Sequence, residues 1–386
     1  MDPTELIPLA DYKSPAMPTE HAFRAAWHRL QRRLGGDNDE DPMLPATGLA
    51  RSPLPVLDDL VDPPDCEPVL RALERRLGDW ARSRDAAPRL QLIVVPPCDR
   101  SGTLETWARA QGHALLWPPA GFDPQDLDDQ ALDRWVAGEG LLVVPRLQGW
   151  FLRQRNGLRA VRRLLERLAD SDRRCLVGCD AWAWAFLVKA ADADLMLPRP
   201  WTFEPFDAAR MRRWFADLAA DGGESATFRL ARNGEDVLAV GEDGKPSSNW
   251  LRLLAARSGG IPWVAWHLWR TSLQVRTDDA ALSERAASAV AGDQRTVWVV
   301  DVEDCRLPPS HEQRALLALQ ALLIHGPLTA PVLESVLPVT GEADVLPALV
   351  ESGHLRVDQG RYSVRPTAYP GVRRALEAAD FPLGAI

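Results

Sequence analysis

Lysine is scarce in this chain of 386 residues. The sequence has 45 lysines and arginines, yet Lys13, Lys189 and Lys245 are its only lysines, so a mechanism that needs a lysine has three candidates. The five cysteines are few and odd in number, which fits a reducing compartment and excludes a disulfide scaffold. No apolar run approaches the ~20 residues that cross a bilayer, and the first residues lack a signal-peptide pattern. We therefore expect a cytoplasmic protein of bacterial type with no transmembrane segment.

The rest of the composition is that of a globular protein. Hydrophobic residues make up 46% of the chain and charged residues 26%, which at this length predicts two or three domains with a sizeable core. The net charge of −9 gives no general attraction to nucleic acid. Cys175 and Cys179 are spaced Cys-x3-Cys, but no further ligand follows at metal-binding spacing. We predict that both are core residues and that the chain has no metal site.

Four regions of the chain differ in pattern. Residues 1–65 predict an N-terminal arm, a helix within 20–36 and an acidic, proline-rich linker. Residues 66–205 alternate between apolar runs of strand length and amphipathic helices, which predicts βαβ units and a mainly parallel sheet. Residues 206–308 predict helices with an inserted β-hairpin and one strand, and residues 309–386 predict three helices followed by two strands.

The order of these elements resembles that of P-loop ATPases of the AAA+/STAND kind. Such proteins place a phosphate loop after the first strand, an acidic Walker B pair after a later strand, a polar sensor after the next strand, and then a helical lid. The matching segments here are 94–104, 140–149, 175–184 and 259–263. The resemblance covers roughly residues 90–370. It implies an α/β fold with a P-loop-NTPase-like, mainly parallel sheet, a helical lid and a C-terminal winged helix domain.

The phosphate loop of that family is degenerate in this chain. Such a loop needs glycines that let backbone N–H groups surround the phosphates, a lysine, and a Ser/Thr hydroxyl for Mg²⁺. The alignment puts a proline and a serine at the glycines and Gly102 at the lysine, so only the hydroxyl of Thr103 is kept. Asp99 adds negative charge, which Arg100 offsets in part. The degenerate nucleotide loop comprises Pro96, Pro97, Cys98, Asp99, Arg100, Ser101, Gly102 and Thr103.

The Walker B position is degenerate as well. Walker B chemistry needs an Asp for the Mg²⁺ shell and usually a Glu that polarises water. The degenerate Walker B segment of this chain instead contains Pro145, Arg146 and Gln148. Asp180, at the end of the next predicted strand, occupies the sensor-like position. We therefore predict no catalytic residue and no cofactor, and we do not expect ATP to bind in the usual way.

Other chemistries find little support in the sequence. The seven histidines are scattered and no nucleophile motif accompanies them. The third helix of the predicted winged helix domain, within 341–352, is acidic where a DNA-reading helix would be basic, and the wing offers only Arg356, Arg361 and Arg365. We therefore do not expect DNA binding.

Two segments are candidate partner-binding surfaces. Arg155, Arg159, Arg162 and Arg163 follow helical spacing and predict a basic face, either solvated and paired with nearby acids or docked on an acidic partner. The acidic linker 37–65 could supply that partner, in the same chain or from a second subunit. The N-terminal arm is predicted to be a mobile leader that orders on a partner. Its candidate contact residues are Leu6, Ile7, Leu9, Tyr12 and Trp27.

Three functions remain open on the sequence. The first is a non-catalytic, ATPase-like protein that acts as a protein-interaction scaffold or regulatory subunit. Its partners would be proteins, such as the cytosolic part of a membrane protein or another ATPase subunit. The second is a divergent nucleotide-binding switch, and the third is a winged-helix DNA-binding regulator. The sequence does not decide the partner, the pathway or the oligomeric state.

Overall fold

The computed structural model describes most of the predicted core and less of the N-terminal region. The predicted helix within 20–36, most of the linker, and Trp27, Arg100 and Ser101 lie outside the described residues. The described residues are 5–18, 49–51, 67–83, 87–99, 102–119, 121–125, 127–221, 226–242, 244–276, 295–302, 307, 312–338, 345–384 and 386.

The described strands and helices follow the predicted alternation over much of the chain. No described helix is both long and apolar enough to span a membrane. The strands are β1 Leu6–Pro8, β2 Leu49–Arg51, β3 Leu90–Val95, β4 Ala114–Leu115, β5 Leu142–Val144, β6 Cys175–Asp180, β7 Trp201–Phe203, β8 Ala226–Leu230, β9 Leu273–Arg276, β10 Arg295–Val299, β11 Leu328–Thr329, β12 Leu355–Asp358 and β13 Arg361–Val364. The helices are α1 Glu67–Arg82, α2 Thr103–Ala110, α3 Asp129–Val136, α4 Arg159–Asp170, α5 Ala181–Ala191, α6 Ala193–Met196, α7 Ala208–Asp221, α8 Asn249–Arg257, α9 Pro262–Ser272, α10 Glu312–His325, α11 Ala330–Val336, α12 Val345–Glu351 and α13 Tyr369–Ala378.

A six-stranded sheet forms the centre of one compact unit, which comprises residues 3–12, 66–204 and 304–386. Its order is β1-β7-β3-β6-β5-β4. The five strands from β7 to β4 are parallel, and β1 pairs antiparallel with β7 at the edge. This arrangement confirms the predicted α/β class with a mainly parallel sheet. Cys175 and Cys179 are fully buried in β6, as predicted.

The sheet is buried because its central strands are apolar on both faces, as parallel strands covered by helices are. Ile93 of β3 and Leu176 of β6 pack in one cluster with Leu73, Leu77 and Trp107 from the helices α1 and α2. All five side chains are at most 2% exposed. The spacing of Leu73 and Leu77 on α1 places both on the helix face that meets the sheet.

The segment 312–386 packs within the same compact unit and is called the C-terminal module below. It contains the helices α10, α11, α12 and α13 and a small sheet of order β11-β13-β12. Three helices followed by the antiparallel pair β12 and β13 is the element order predicted for this segment. The strand β11 and the helix α13 were not predicted. With two residues, β11 is too short to show periodicity.

The second compact unit comprises residues 1–2, 13–65 and 205–303. It combines the helices α7, α8 and α9 with a sheet of order β2-β9-β10-β8. At the predicted β-hairpin, the chain turns back on β8: Arg229 forms an isolated antiparallel bridge with Asp236, and the Leu230 N–H donates to the Glu235 carbonyl at 2.9 Å. The regular partner of β8 is the parallel strand β10. The strand β2 comes from the segment predicted to be a linker, since Leu49–Arg51 pairs with β9.

The prediction of a mobile N-terminal leader is wrong for the residues that the structure describes. Leu6 and Ile7 lie in β1 and pair with Phe203 and Thr202 of β7. The side chains of Leu9 and Tyr12 are buried. The arm therefore forms the edge strand of the central sheet in its own chain.

Candidate functional site

The three segments matched to ATPase motifs meet at one edge of the central sheet. The strand β6 lies between β3 and β5, and all three are parallel, so the loops that follow them are neighbours. The chain leaves β3 towards β4 at one edge of the sheet and leaves β6 towards β7 on the other side. Ligand sites in open α/β sheets lie at such a change of direction, outside the carboxyl ends of the strands.

A cavity of about 120 Å³ lies at this position. The sheet contributes residues from all three loops, and the C-terminal module contributes the opposite wall. The lining residues are Val95, Pro97, Cys98, Asp99, Gly102, Thr103, Leu104, Glu105, Pro145, Arg146, Gln148 and Asp180 from the sheet side, and Leu322, Leu323, Gly326, Pro327, Ser363 and Val364 from the module. The structure therefore brings together most of the predicted site residues and adds a wall that the sequence did not predict.

The loop after β3 has a backbone unlike a phosphate cradle. Pro96 and Pro97 are both buried and neither has an amide proton. Cys98 has a φ of 63°, and Gly102, at the position of the expected lysine, has a φ of 58° and begins the helix α2. L side chains rarely adopt this left-handed conformation, so a lysine at position 102 would strain the loop as it stands.

Asp180 serves as the N-cap of the helix α5. Its carboxylate accepts a hydrogen bond from the Trp182 backbone N–H at 3.1 Å, and its own N–H donates to Gln148 Oε1 at 3.3 Å. Burial, reinforced by Asp99, raises the pKa of Asp180 to about 7, while the Trp182 N–H and Arg146 oppose this shift. The predicted sensor residue thus has a structural role, which its position directly after a strand and before a helix could have indicated.

Acidic groups dominate the polar lining of the cavity. Among the lining residues that the structure describes, these are Asp99, Glu105 and Asp180, and the one cation is Arg146, which is exposed. Burial also raises the pKa of the Cys98 thiol, an effect that Asp180 increases and Arg356 decreases. Cys98 is therefore a neutral thiol at physiological pH, and the site would place a phosphate group beside carboxylates.

The raised pKa of Asp180 predicts how the stability of the protein depends on pH. The native state binds the Asp180 proton more tightly than the unfolded chain, so the contribution of this group to stability falls as the pH rises from about 4 through about 7. We expect Asp180→Asn, which keeps an N-cap acceptor, to raise the free energy of unfolding by ~1–2 kcal/mol at pH 8 and by little near pH 4. Urea denaturation at both pH values measures the difference.

Asp128→Asn is the matched control for this experiment. Asp128 is an exposed N-cap that accepts from the Gln130 N–H at 3.0 Å. Its replacement should leave the pH dependence of stability unchanged, because no buried carboxylate is removed. Equal stability of the wild type and Asp180→Asn at pH 8 would contradict the assignment of a buried, destabilising charge.

The C-terminal module is fixed to the sheet by polar contacts that the sequence did not predict. The Trp182 indole N–H donates to the Tyr369 hydroxyl at 3.2 Å, and that hydroxyl donates to the Ile386 carbonyl at 3.2 Å. Trp182 lies on α5 and Tyr369 begins α13, and both are at most 2% exposed. A tryptophan two residues after a capping Asp was a weak signal for this contact, since its partner lies 187 residues away.

A second set of contacts joins the loop before α4 to α10. Arg153 donates from its guanidinium to Gln320 Oε1 at 2.6 Å and from its backbone N–H to His325 Nε2 at 3.3 Å. Burial, reinforced by Arg153, lowers the pKa of His325 to about 3, so the imidazole is neutral and accepts this bond. Gln320 and His325 are the polar residues within the apolar run that follows the first three residues of α10. Their position in this run was the sequence signal for a buried polar contact.

The predicted basic face is only partly neutralised by nearby acids. Arg163 pairs with Glu166 at 3.2 Å and with Asp129 at 3.9 Å, in line with the solvated alternative. Arg162 donates to the Ala190 carbonyl at 2.6 Å, which leaves its charge uncompensated. Arg155 and Arg159, treated further below, are both exposed.

The cavity does not fit a nucleoside triphosphate. Pockets that hold ligands of this size have volumes of roughly 300–1,000 Å³, well above the volume measured here. No lysine is among the described lining residues, and the described parts of the three loops supply three carboxylates. The residues at this site therefore offer neither the space nor the charge that the phosphates of ATP require.

Comparisons with known proteins identify distant structural neighbours only. No protein-family model and no curated protein matches the sequence. The fold is similar to an arginine variant of RuvB from Thermotoga maritima, with 14% identity, 85% of this chain and 97% of that chain covered, and a TM-score of 0.35. It is also similar to ORC1 of Aeropyrum pernix in complex with DNA, with 18% identity, 99% and 98% covered, and a TM-score of 0.31. ORC2 of the same organism, in ADPNP–ADP complexes, matches at 13% identity, 86% and 99% covered, and a TM-score of 0.29. At these values, the likeness assigns neither a family nor an activity to this chain.

Proposed function

We propose that this protein is a non-catalytic, P-loop-ATPase-like protein of the AAA+/STAND kind that acts through protein contacts, as a scaffold or a regulatory subunit. The observation that carries the proposal is the small cavity with an acidic described lining at the expected nucleotide position. Its outer wall is formed by residues of the C-terminal module such as Leu322 and Val364, so the module occupies the space in front of the degenerate loop.

The ATPase-like origin is supported by how the sheet positions the motifs. The strand that precedes the expected phosphate loop, β3, is adjacent to β6, which carries the sensor-like Asp180. The strand β5, which precedes the Walker B position, is the next neighbour of β6. A site for a phosphate and its metal needs these three loops at one place, and here they converge without the side chains that the chemistry requires.

We further propose that the C-terminal module is a winged helix domain used for packing and protein contact. The described part of its third helix, α12, has no lysine or arginine and ends in Glu351. The wing arginines are engaged within the module: Arg356 donates to Ser363 Oγ, Arg361 to the Pro327 carbonyl and Arg365 to the Leu355 carbonyl. A third helix whose described part carries no basic side chain is poorly suited to phosphate contacts, which favours protein docking over DNA binding.

A titration with a labelled ATP analogue, with and without Mg²⁺, tests the non-catalytic assignment. We expect no binding at micromolar concentration, and no difference between the wild type and variants in which Arg100 or Arg146 is replaced by alanine. These two arginines are the cations nearest in sequence to the degenerate loop and the Walker B position. Micromolar binding that Arg100→Ala or Arg146→Ala abolishes would replace this proposal with the nucleotide-switch alternative.

A further inference from the structure

A groove of about 400 Å³ runs along the start of the helix α4, on the part of the molecule that carries the predicted basic face. Three arginines, Arg159, Arg162 and Arg163, line it together with the side-chain amides of Gln154 and Asn156. This groove is separate from the cavity at the carboxyl ends of the strands, with which it shares no lining residue. It is called the arginine groove below.

The positive charge of the arginine groove is only partly compensated. Arg163 is paired with Glu166, which also lines the groove. Arg162 is bound to a neutral carbonyl. The side chains of Arg155 and Arg159 form no hydrogen bond or ion pair with any residue that the structure describes. Among the residues that the structure describes, Arg159 and Arg162 therefore line the groove without an acidic partner, and Arg155 follows the lining residue Gln154 in the chain.

The groove is also rigid on its loop side. The Leu152 N–H donates to the Gly157 carbonyl at 3.2 Å, and the Gly157 N–H donates back to the Gln154 carbonyl at 3.0 Å. The Arg159 N–H donates to the Asn156 carbonyl at 3.1 Å and joins this loop to α4. A preformed loop lowers the entropy that a partner must overcome on binding.

We propose that the arginine groove binds an acidic, extended peptide segment of a partner protein. Guanidinium groups match carboxylates in bidentate geometry, and the amides of Gln154 and Asn156 can both donate to and accept from a peptide backbone. The inference rests on the proposed scaffold function and names the chemistry of its partner. Nucleic acid is the less favoured occupant, because three arginines, one of them paired with Glu166, make a short site on a chain of net charge −9.

Fluorescence anisotropy with a labelled peptide tests the proposal on the full chain. The probe has the sequence of residues 36–42, in which Asp37, Asp39, Glu40 and Asp41 supply four acids, and the control probe carries the corresponding amides. We expect micromolar affinity for the acidic probe at 50 mM salt, a clear loss of affinity at higher salt, and no binding of the amide probe.

Two double variants with the same change of charge locate the site. Arg155→Glu with Arg159→Glu should weaken binding of the acidic probe at least tenfold. Arg71→Glu with Arg75→Glu changes two exposed arginines of α1 and should weaken it less than twofold. Arg155→Gln with Arg159→Gln is a milder double variant that is less prone to misfold, and circular dichroism monitors the folding of every variant. This variant should also weaken binding of the acidic probe.

Three outcomes would overturn the proposal. They are no binding of the acidic probe at 50 mM salt, equal losses in the two double variants, and tighter binding of a 20-bp DNA duplex than of the probe. The ATP titration is independent of all three. If the protein binds ATP and also binds the acidic probe, only the non-catalytic assignment fails. If it binds neither ATP nor the acidic probe, only the proposed peptide site fails.

Discussion

Replacing Gly178 with alanine is expected to lower the free energy of unfolding by ~2–4 kcal/mol, an unusually large effect for one added methyl group. Gly178 lies in the middle of β6, the central strand between β3 and β5. A Cβ there would overlap the Pro145 carbonyl oxygen and a methyl group of Leu104. Because the obstruction is partly backbone, the loop after β5 would have to move away from the sheet.

Gly78→Ala is the matched control for this prediction. Gly78 is also buried, but it lies in the helix α1, where a Cβ would meet the end of the flexible Glu74 side chain. Alanine favours a helix over glycine by about 1 kcal/mol, so we expect this variant to be close to neutral or more stable. Urea denaturation compares the two variants, and a loss below ~0.5 kcal/mol for Gly178→Ala would refute the close packing of the three loops.

Trp182→Ala is the second change with a large expected effect. Its indole is 2% exposed and its N–H donates to the Tyr369 hydroxyl at 3.2 Å. Truncation of a buried tryptophan costs ~3–5 kcal/mol, and here the loss falls on the contact between α5 and the C-terminal module. We therefore expect limited proteolysis to cut within residues 312–386 at least tenfold faster than in the wild type.

Two further variants separate the hydrogen bond from the packing. Trp182→Phe keeps most of the volume and removes only the donor, with an expected loss of ~1–2 kcal/mol. Trp107→Phe removes the indole that donates to Glu74 at 3.0 Å in the core beside α1. It should lower overall stability without selective cleavage in the C-terminal module. Equal cleavage patterns in Trp182→Ala and Trp107→Phe would contradict a specific role of Trp182 in holding the module.

Limited proteolysis and the ATP titration together test which part of the structure keeps ATP out of the cavity. If Trp182→Ala frees the C-terminal module and ATP still does not bind, the degenerate loop itself excludes the nucleotide. If ATP binds only in this variant, the module excludes it by occupying the site. The proposed function predicts that Trp182→Ala still does not bind ATP, because this variant keeps the carboxylates of Asp99 and Asp180 beside the loop.

The sequence indicated much of the central sheet because its signals are local. The apolar runs that became β3 and β6 lie between amphipathic helices, and this alternation predicts a parallel sheet without any knowledge of distant contacts. The absence of phosphate-loop side chains was readable for the same reason, since each such position belongs to one short segment after β3.

Shorter elements could not be predicted in this way. The strand β1 has three residues and pairs with β7, almost two hundred residues further along the chain. A three-residue strand carries no periodicity, so the arm was interpreted as a free leader although Leu9 and Tyr12 are buried. The strand β2 was missed for the same reason within an acidic, proline-rich segment.

The sequence alone determined the scarcity of lysine and the absence of the motif side chains, because both features depend only on which residues occupy which positions. Only the tertiary structure decided what replaced them. It placed Gly102 in a left-handed conformation, made Asp180 the cap of α5, and formed one wall of the cavity from the C-terminal module. These features depend on contacts between residues far apart in the chain, such as Trp182 with Tyr369, and the free energy of such contacts is not encoded in any local pattern.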